Sequence, residues 1–131
     1  MNDSISDLFT SLRNASLIRR QTVTVPKIKM NQKIANVLLR QGFIEKIQNS
    51  SEKNSLILTL KYKKEKNRPI ITEIRRFSRR GCRVYVPSHQ IPQFQFCGKF
   101  GIILMSTSCG IITDREARKL SIGGELLGFV S

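Results

Sequence analysis

From Leu56 to Tyr62 the chain alternates strictly, with Leu56, Leu58, Leu60 and Tyr62 on one side and Ile57, Thr59 and Lys61 on the other. Successive side chains of a strand point to opposite faces, so this run reads as β structure with a covered leucine face and a wetter reverse. A helix of the same residues would scatter the leucines around its circumference. The cover has to come from helices, and two precede the run.

Ser4 and Asp7 have the spacing of a capping box, and Ile5, Leu8, Phe9, Leu12 and Ala15 recur at helical intervals. They predict a first helix of about three turns, ending near Arg19 and Arg20. Thr22 to Val25 then reads as a strand stopped by Pro26. A second helix is predicted to start near Asn31, whose side chain would cap it, to bury Ile34, Val37 and Leu38, and to stop at Gly42. Phe43 to Ile47 reads as the next strand, and Asn49 to Asn54 as a polar turn into the alternating run.

Beyond that run, Lys61 to Arg83 holds ten basic residues against two acidic ones. Ile70, Ile71, Ile74 and Phe77 interrupt the charge often enough to anchor the segment, and the domain boundary is expected near Phe77. Val84 to Val86 reads as a strand ended by Pro87, Pro92 to Gly98 as a loop carrying Phe94 and Phe96, and Gly101 to Met105 as a strand. Ser106 to Gly110 follows as a polar turn, and Thr113 with Glu116 repeats the capping-box spacing ahead of a short helix to about Leu120. Leu126 to Val130 reads as a terminal strand. The sum is an α+β chain in two small units, 1–76 and 77–131.

Charge narrows the partners. Hydrophobic residues make up 40% of the 131, enough for a packed core, so the excess of 23 Lys and Arg over 9 Asp and Glu sits on a folded body rather than on a disordered tail. A formal charge of +14 repels itself unless a polyanion relieves it. RNA or DNA fits; a membrane surface would require an exposed basic amphipathic element, and none dominates. No apolar run approaches the roughly 20 residues that cross a bilayer, and the first residues lack a secretory signal's apolar core, so an intracellular protein is expected. Cys82, Cys97 and Cys109 are odd in number and too widely spaced for a secreted disulfide framework.

Signals for chemistry are weak. His89 is the only histidine, and its Pro87-Ser88-His89-Gln90 setting reads as a surface loop with no nucleophile beside it. Cys82, His89, Cys97 and Cys109 lack the closely paired spacing of structural zinc sites. Gly98, Gly101 and Gly110 are not followed by the Gly-Lys-Ser/Thr of a phosphate loop. No enzyme, metal or cofactor is expected.

The run Ser106-Thr107-Ser108-Cys109-Gly110 carries more. Three successive hydroxyls can donate and accept hydrogen bonds, and Gly110 admits close backbone approach to a sugar or phosphate. Folded RNA presents a shallow minor groove lined with 2′-hydroxyls, which suits such a patch better than it suits long cations. A plain Ser/Thr-rich turn leading into a helix cap accounts for the same residues. Arg115, Arg118 and Lys119 follow, placed to bind phosphate or to cover the surface, and Arg115 could pair with Glu116.

Taken together, Ser106-Thr107-Ser108-Cys109-Gly110-Ile111-Ile112-Thr113-Asp114-Arg115-Glu116-Ala117-Arg118 and Gly123-Gly124-Glu125 resemble the STSxG, TDREAR and GGE signature of small-subunit ribosomal protein eight of the bacterial and organellar type. Ile5-Ser6-Asp7 and Ser11-Leu12-Arg13-Asn14-Ala15 resemble that family's opening helix, and Gly42-Phe43-Ile44 its first helix-to-strand junction. The likeness runs over nearly the whole chain.

The resemblance implies an amino-terminal α/β module and a carboxyl-terminal mainly β module with a short helix. It implies a non-enzymatic constituent of the small ribosomal subunit that binds the central domain of its rRNA and helps organise the platform, beside ribosomal proteins five and twelve. A general folded-RNA binder or a translational repressor is the alternative. Ser106, Thr107, Ser108 and Gly110 carry over to the family's rRNA-facing loop, and Tyr85 to an aromatic position near it, where the other reading is a strand-edge core residue. Lys27, Lys29 and Lys33, with Arg13 and Asn14 on the first helix, are the candidates for a second RNA contact; a solvated charged face is the competing reading. No homo-oligomer is expected.

Three places depart from the family pattern. Cys109 stands where a basic residue is frequent, Arg80 precedes Gly81 where proline is familiar, and Leu127-Gly128-Phe129-Val130 replaces a Cys-Tyr-containing end. Abundant Lys, Asn and Ile, with the Asp-Arg-Glu-Ala-Arg run, point to a plastid ribosome, with a bacterial cytoplasm as the alternative. No transit segment precedes the match, so a plastid form would be made inside the organelle.

Overall fold

The computed structural model describes residues 4–50, 54–63, 68–78, 81–91, 95–96 and 99–131, with backbone alone at 95–96 and 99–100. It is an α+β protein whose chain divides into two compact units, Met1–Thr72 and Glu73–Ser131. The sequence alone puts the boundary near Phe77. The division falls earlier because Ile74–Arg76 is laddered to the terminal strand, Val130 opposite Ile74 and Gly128 opposite Arg76.

In the first unit, helix α1 (Ser4–Leu17) leads into strand β1 (Thr22–Pro26), then helix α2 (Lys29–Arg40) and strands β2 (Ile44–Ser50) and β3 (Ser55–Leu60). The alternating run supplies, as far as Leu60, the central strand of an antiparallel sheet in the order β1-β3-β2; Tyr62, expected in the same strand, instead pairs with Pro69 in a separate ribbon. Leu56, Leu58 and Leu60 are buried while Ser55, Ile57 and Thr59 are only half so. Ile5, Leu8, Phe9 and Leu12 of α1 and Ile34, Val37 and Leu38 of α2 are buried as well. Each fully buried leucine contributes about 1.5–3 kcal/mol relative to exposure. Helix α2 ends as predicted: Gly42, at φ +83°, donates to the Leu39 carbonyl, and Phe43 donates to that of Leu38.

Other local expectations are corrected. Asn31 does not cap α2: Ile28 holds the cap position without a side-chain bond, and Asn31 lies one turn inside, buried, donating to the Pro26 carbonyl at 2.9 Å. Ser4, expected to cap α1, is a helical residue of it, and the residues before Ser4 lie outside the described ones. Asn49 belongs to β2, opposite Leu56, because strand pairing continues to Ser50 opposite Ser55. Helix α1 closes with Arg19 in the left-handed region at φ +58°, where Arg19 N–H donates to Ser16 and Arg20 N–H to Ala15. A two-residue ribbon, β4 (Tyr62–Lys63) against β5 (Arg68–Pro69), completes the unit.

The second unit comprises β6 (Ile74–Arg76), β7 (Tyr85–Val86), a 3₁₀ turn at Ser88–Gln90, the ribbon β8 (Gln95–Phe96) with β9 (Lys99–Phe100), β10 (Ile102–Thr107), β11 (Gly110–Thr113), helix α3 (Asp114–Leu120) and β12 (Gly124–Val130). Its main sheet runs β11-β10-β12-β6, with β7 also on β12. Ile103, Met105, Ile112, Ala117, Leu126 and Phe129 form its core with Ile91. Two loop expectations fail here. Gln95–Phe96 is a strand paired with Lys99–Phe100, and Ser106 and Thr107 belong to β10, because Ile111 and Gly110 pair with them across the hairpin. Pro92, Phe94, Cys97, Gly98 and Arg80 lie outside the described residues. No described helix is long and apolar enough to cross a membrane.

Candidate nucleic-acid interface

The hydroxyl run folds as the tip of the β10–β11 hairpin. Thr107 pairs with Gly110, leaving Ser108 and Cys109 as an exposed two-residue turn. Gly110 supplies the left-handed residue at φ +99°, a conformation that costs glycine little. The three hydroxyls are not equivalent. Thr107 Oγ1 donates to the Gly110 carbonyl at 2.9 Å and accepts from the Cys109 N–H at 3.2 Å, so it braces the turn. No described side-chain bond engages the hydroxyl of Ser106 or Ser108, which leaves both able to meet a ligand.

The ladder then supplies what sequence spacing could not. Ser106 stands opposite Glu125, and Glu125 stands opposite Tyr85. Directly paired residues share a sheet face, so Tyr85, Glu125 and Ser106 form one row, about 10 Å from end to end at ordinary strand spacing. Tyr85 is 70% exposed, which removes the strand-edge core reading and leaves its ring as a surface platform. Glu125 pairs with Arg83 at 3.2 Å, its side chain only 12% exposed beside a half-exposed arginine side chain. Glu125 and Arg83 were not among the site residues read from the sequence. A lone carboxylate in an otherwise apolar strand has no periodic signature, although the Gly123-Gly124-Glu125 run marks the place.

Ser78 fixes the approach of Tyr85. Its buried hydroxyl accepts the Val84 N–H at 2.9 Å, its own N–H donates to Leu126, and Leu126 N–H donates to Val84. On the other side of the hairpin, α3 starts with the expected capping box. Thr113 Oγ1 accepts from the Glu116 N–H at 3.3 Å, and the Glu116 carboxylate accepts from the Thr113 N–H at 3.4 Å. That occupies Glu116 with the cap. Arg118 is bound to the buried Asp114 carboxylate at 3.1 Å, and Asp114 also accepts the Ile103 N–H at 3.3 Å. Arg115 and Lys119 are exposed. The basic helix thus divides into a structural arginine, Arg118, and solvent-facing cations.

In the first unit, Lys27, Lys29 and Lys33 are exposed around the start of α2, and Arg13 and Asn14 are exposed on α1. Helix α2 begins without a side-chain cap, so its first N–H groups add the favourable end of the helix dipole to the three lysines. Phosphate is the chemistry such a helix start accepts. Among the described residues no cluster of His, Cys, Asp or Glu could hold a metal, and Cys82 and Cys109 are exposed thiols rather than buried ones.

The chain is similar over nearly its whole length to known proteins. The family model described as Ribosomal protein S8 matches residues 3–131. Small ribosomal subunit protein uS8 of Nostoc punctiforme is 46% identical over 131 residues, covering 98% of this chain and 97% of the relative. Small ribosomal subunit protein uS8c of Anthoceros angustus is 48% identical over 131 residues, covering 98% of each. The uS8c of Physcomitrium patens is 45% identical with the same coverage.

Proposed function

The chain belongs to the ribosomal protein S8 family, and from that premise we propose that it recognises the central domain of small-subunit rRNA through the Ser106–Gly110 hairpin tip and helps organise the subunit platform. It is a structural constituent of the small ribosomal subunit and performs no chemical turnover. The observation that carries the proposal is the row of Tyr85, Glu125 and Ser106 beside the hairpin tip. An exposed ring and unengaged hydroxyls, on either side of a Glu125 carboxylate already held by Arg83, form a patch poor in free cations, suited to ribose hydroxyls and base edges rather than to phosphate alone.

Phosphate contacts come from Arg115 on α3 and from Lys27, Lys29 and Lys33 at the start of α2, with Arg13 and Asn14 on α1 as further contacts. Such contacts position the protein, while the hairpin discriminates. Ribosomal proteins five and twelve are the proposed neighbours. We place the ribosome in a plastid, a reading supported by the abundance of Lys, Asn and Ile. Competition binding tests the function: purified chain should prefer small-subunit central-domain rRNA over other folded RNA of equal length. Equal affinity would favour a general RNA binder instead.

A further inference from the structure

A second concentration of cations lies in the first unit, at the opposite end of the β1–β3 pair from Lys27 and Lys29. Thr22 pairs with Thr59 at one end and Pro26 with Ser55 at the other, about 14 Å apart at the rise of a strand. Lys27 and Lys29 follow the Pro26 end. At the Thr22 end, the Leu60 N–H donates to the Gln21 carbonyl at 2.8 Å, and the Tyr62 hydroxyl donates to the Arg20 carbonyl. Those bonds hold the close of α1 against the β4–β5 ribbon, where Ile70 N–H donates to Lys61 at 2.9 Å and Lys63 stands opposite Arg68. Arg19, Arg20, Lys61, Lys63 and Arg68 are all exposed. Among the described residues none of the five has an ion-pair partner.

Two local preferences are broken to build this cluster. Like charges directly across a ladder destabilise it, yet Lys63 faces Arg68. A left-handed helix close favours glycine, yet Arg19 occupies it at φ +58°. The helix dipole welcomes a cation there, but the neighbouring Arg20 supplies one without that strain. Local conflicts of this kind mark function when something outside the fold offsets them. A polyanion offsets both.

We infer that Arg19, Arg20, Lys61, Lys63 and Arg68 form a phosphate-binding surface for RNA, engaging a stretch of backbone different from the one at the start of α2. The inference rests on the rRNA-binding reading above. The two clusters stand at opposite ends of the strand pair, about 14 Å apart, too far for one phosphate to touch both. Leu17 and Ile18, exposed beside Arg19, would suit a protein face. Five exposed cations without an ion-pair partner among the described residues, against Glu45 at the same end of the sheet, favour a polyanion.

The test compares full-length wild type, R19Q/R20Q/K63Q and K63E for binding to small-subunit central-domain rRNA, from about 50 mM to about 200 mM salt. The triple variant should lose on the order of tenfold or more in affinity, and the slope of log K against log salt should fall by about 2 to 3. K63E should place opposite charges across the ribbon, holding or raising the melting temperature while weakening RNA binding. A merely structural cluster would not split stability from affinity in that way. Unchanged slope and affinity in folded variants overturn the inference. So does unchanged RNA binding with lost incorporation into subunits, which would assign the surface to a protein. Wild type showing no preference for the rRNA would end the functional reading and this inference together, whereas wild-type preference with unchanged variants ends only this one.

Discussion

A methyl group added to Gly124 would lie 2.3 Å from the backbone carbonyl oxygen of Ser106, closer than any real Cβ approaches an oxygen. The same methyl would meet the Thr107 Cγ2 at 2.9 Å, so Gly124 sets how near β12 lies to the hairpin that carries the hydroxyls. G124A therefore has to move backbone, not a flexible side-chain end. It should cost about 1–3 kcal/mol of stability. More tellingly, specific rRNA affinity should fall further than nonspecific affinity.

G42A is the matched control, since its space is open and only the φ of +83° is strained. It should cost on the order of 1 kcal/mol and leave the ratio of specific to nonspecific binding unchanged. Urea denaturation and filter binding on both variants check the pair.

Arg115 and Arg118 should behave differently although they sit three residues apart. R118A removes the partner of buried Asp114 and should lower stability, with little change in the salt slope of RNA binding. R115A should leave stability within about 0.5 kcal/mol. Its salt slope should fall by about one phosphate's worth. Salt titrations of the two single variants decide.

Tyr62 gives a pH signature. Burial raises its phenol above the ordinary range and the Arg19 charge opposes this more weakly, and the neutral hydroxyl donates to the Arg20 carbonyl. A group whose folded pKa is raised lends stability below its unfolded pKa and loses it as pH climbs through the folded one. Melting temperature should therefore fall more steeply above about pH 10 in wild type than in Y62F. Parallel curves for the two would refute this role for Tyr62.

Periodicity made much of this fold readable. The strict alternation at Leu56 to Leu60, the Gly42 helix stop and the Thr113–Glu116 cap are local signals with local causes, and each stands where the residues placed it. Asn31 failed as a cap because its amide is drawn to the Pro26 carbonyl, a contact that depends on how β1 turns into α2. Arg19 and Ser121 close their helices in the left-handed region without a glycine to announce it. Ser106 and Thr107 were read as turn because polar residues dominate turns; only the register with Ile111 and Gly110 makes them strand. For the candidate site, the hydroxyl run was legible, but its partition into bracing Thr107 and unengaged Ser106 and Ser108 was not. Nor was the row with Glu125, since cross-strand neighbours are set by pairing rather than by sequence distance.

The most direct test of the whole account is the ratio of specific to nonspecific rRNA affinity for S106A/S108A, which spares the bracing hydroxyl of Thr107. The variant should fold, and its nonspecific, salt-sensitive binding should match wild type while its preference for central-domain rRNA falls by on the order of tenfold or more. Undiminished preference in that variant would contradict the account.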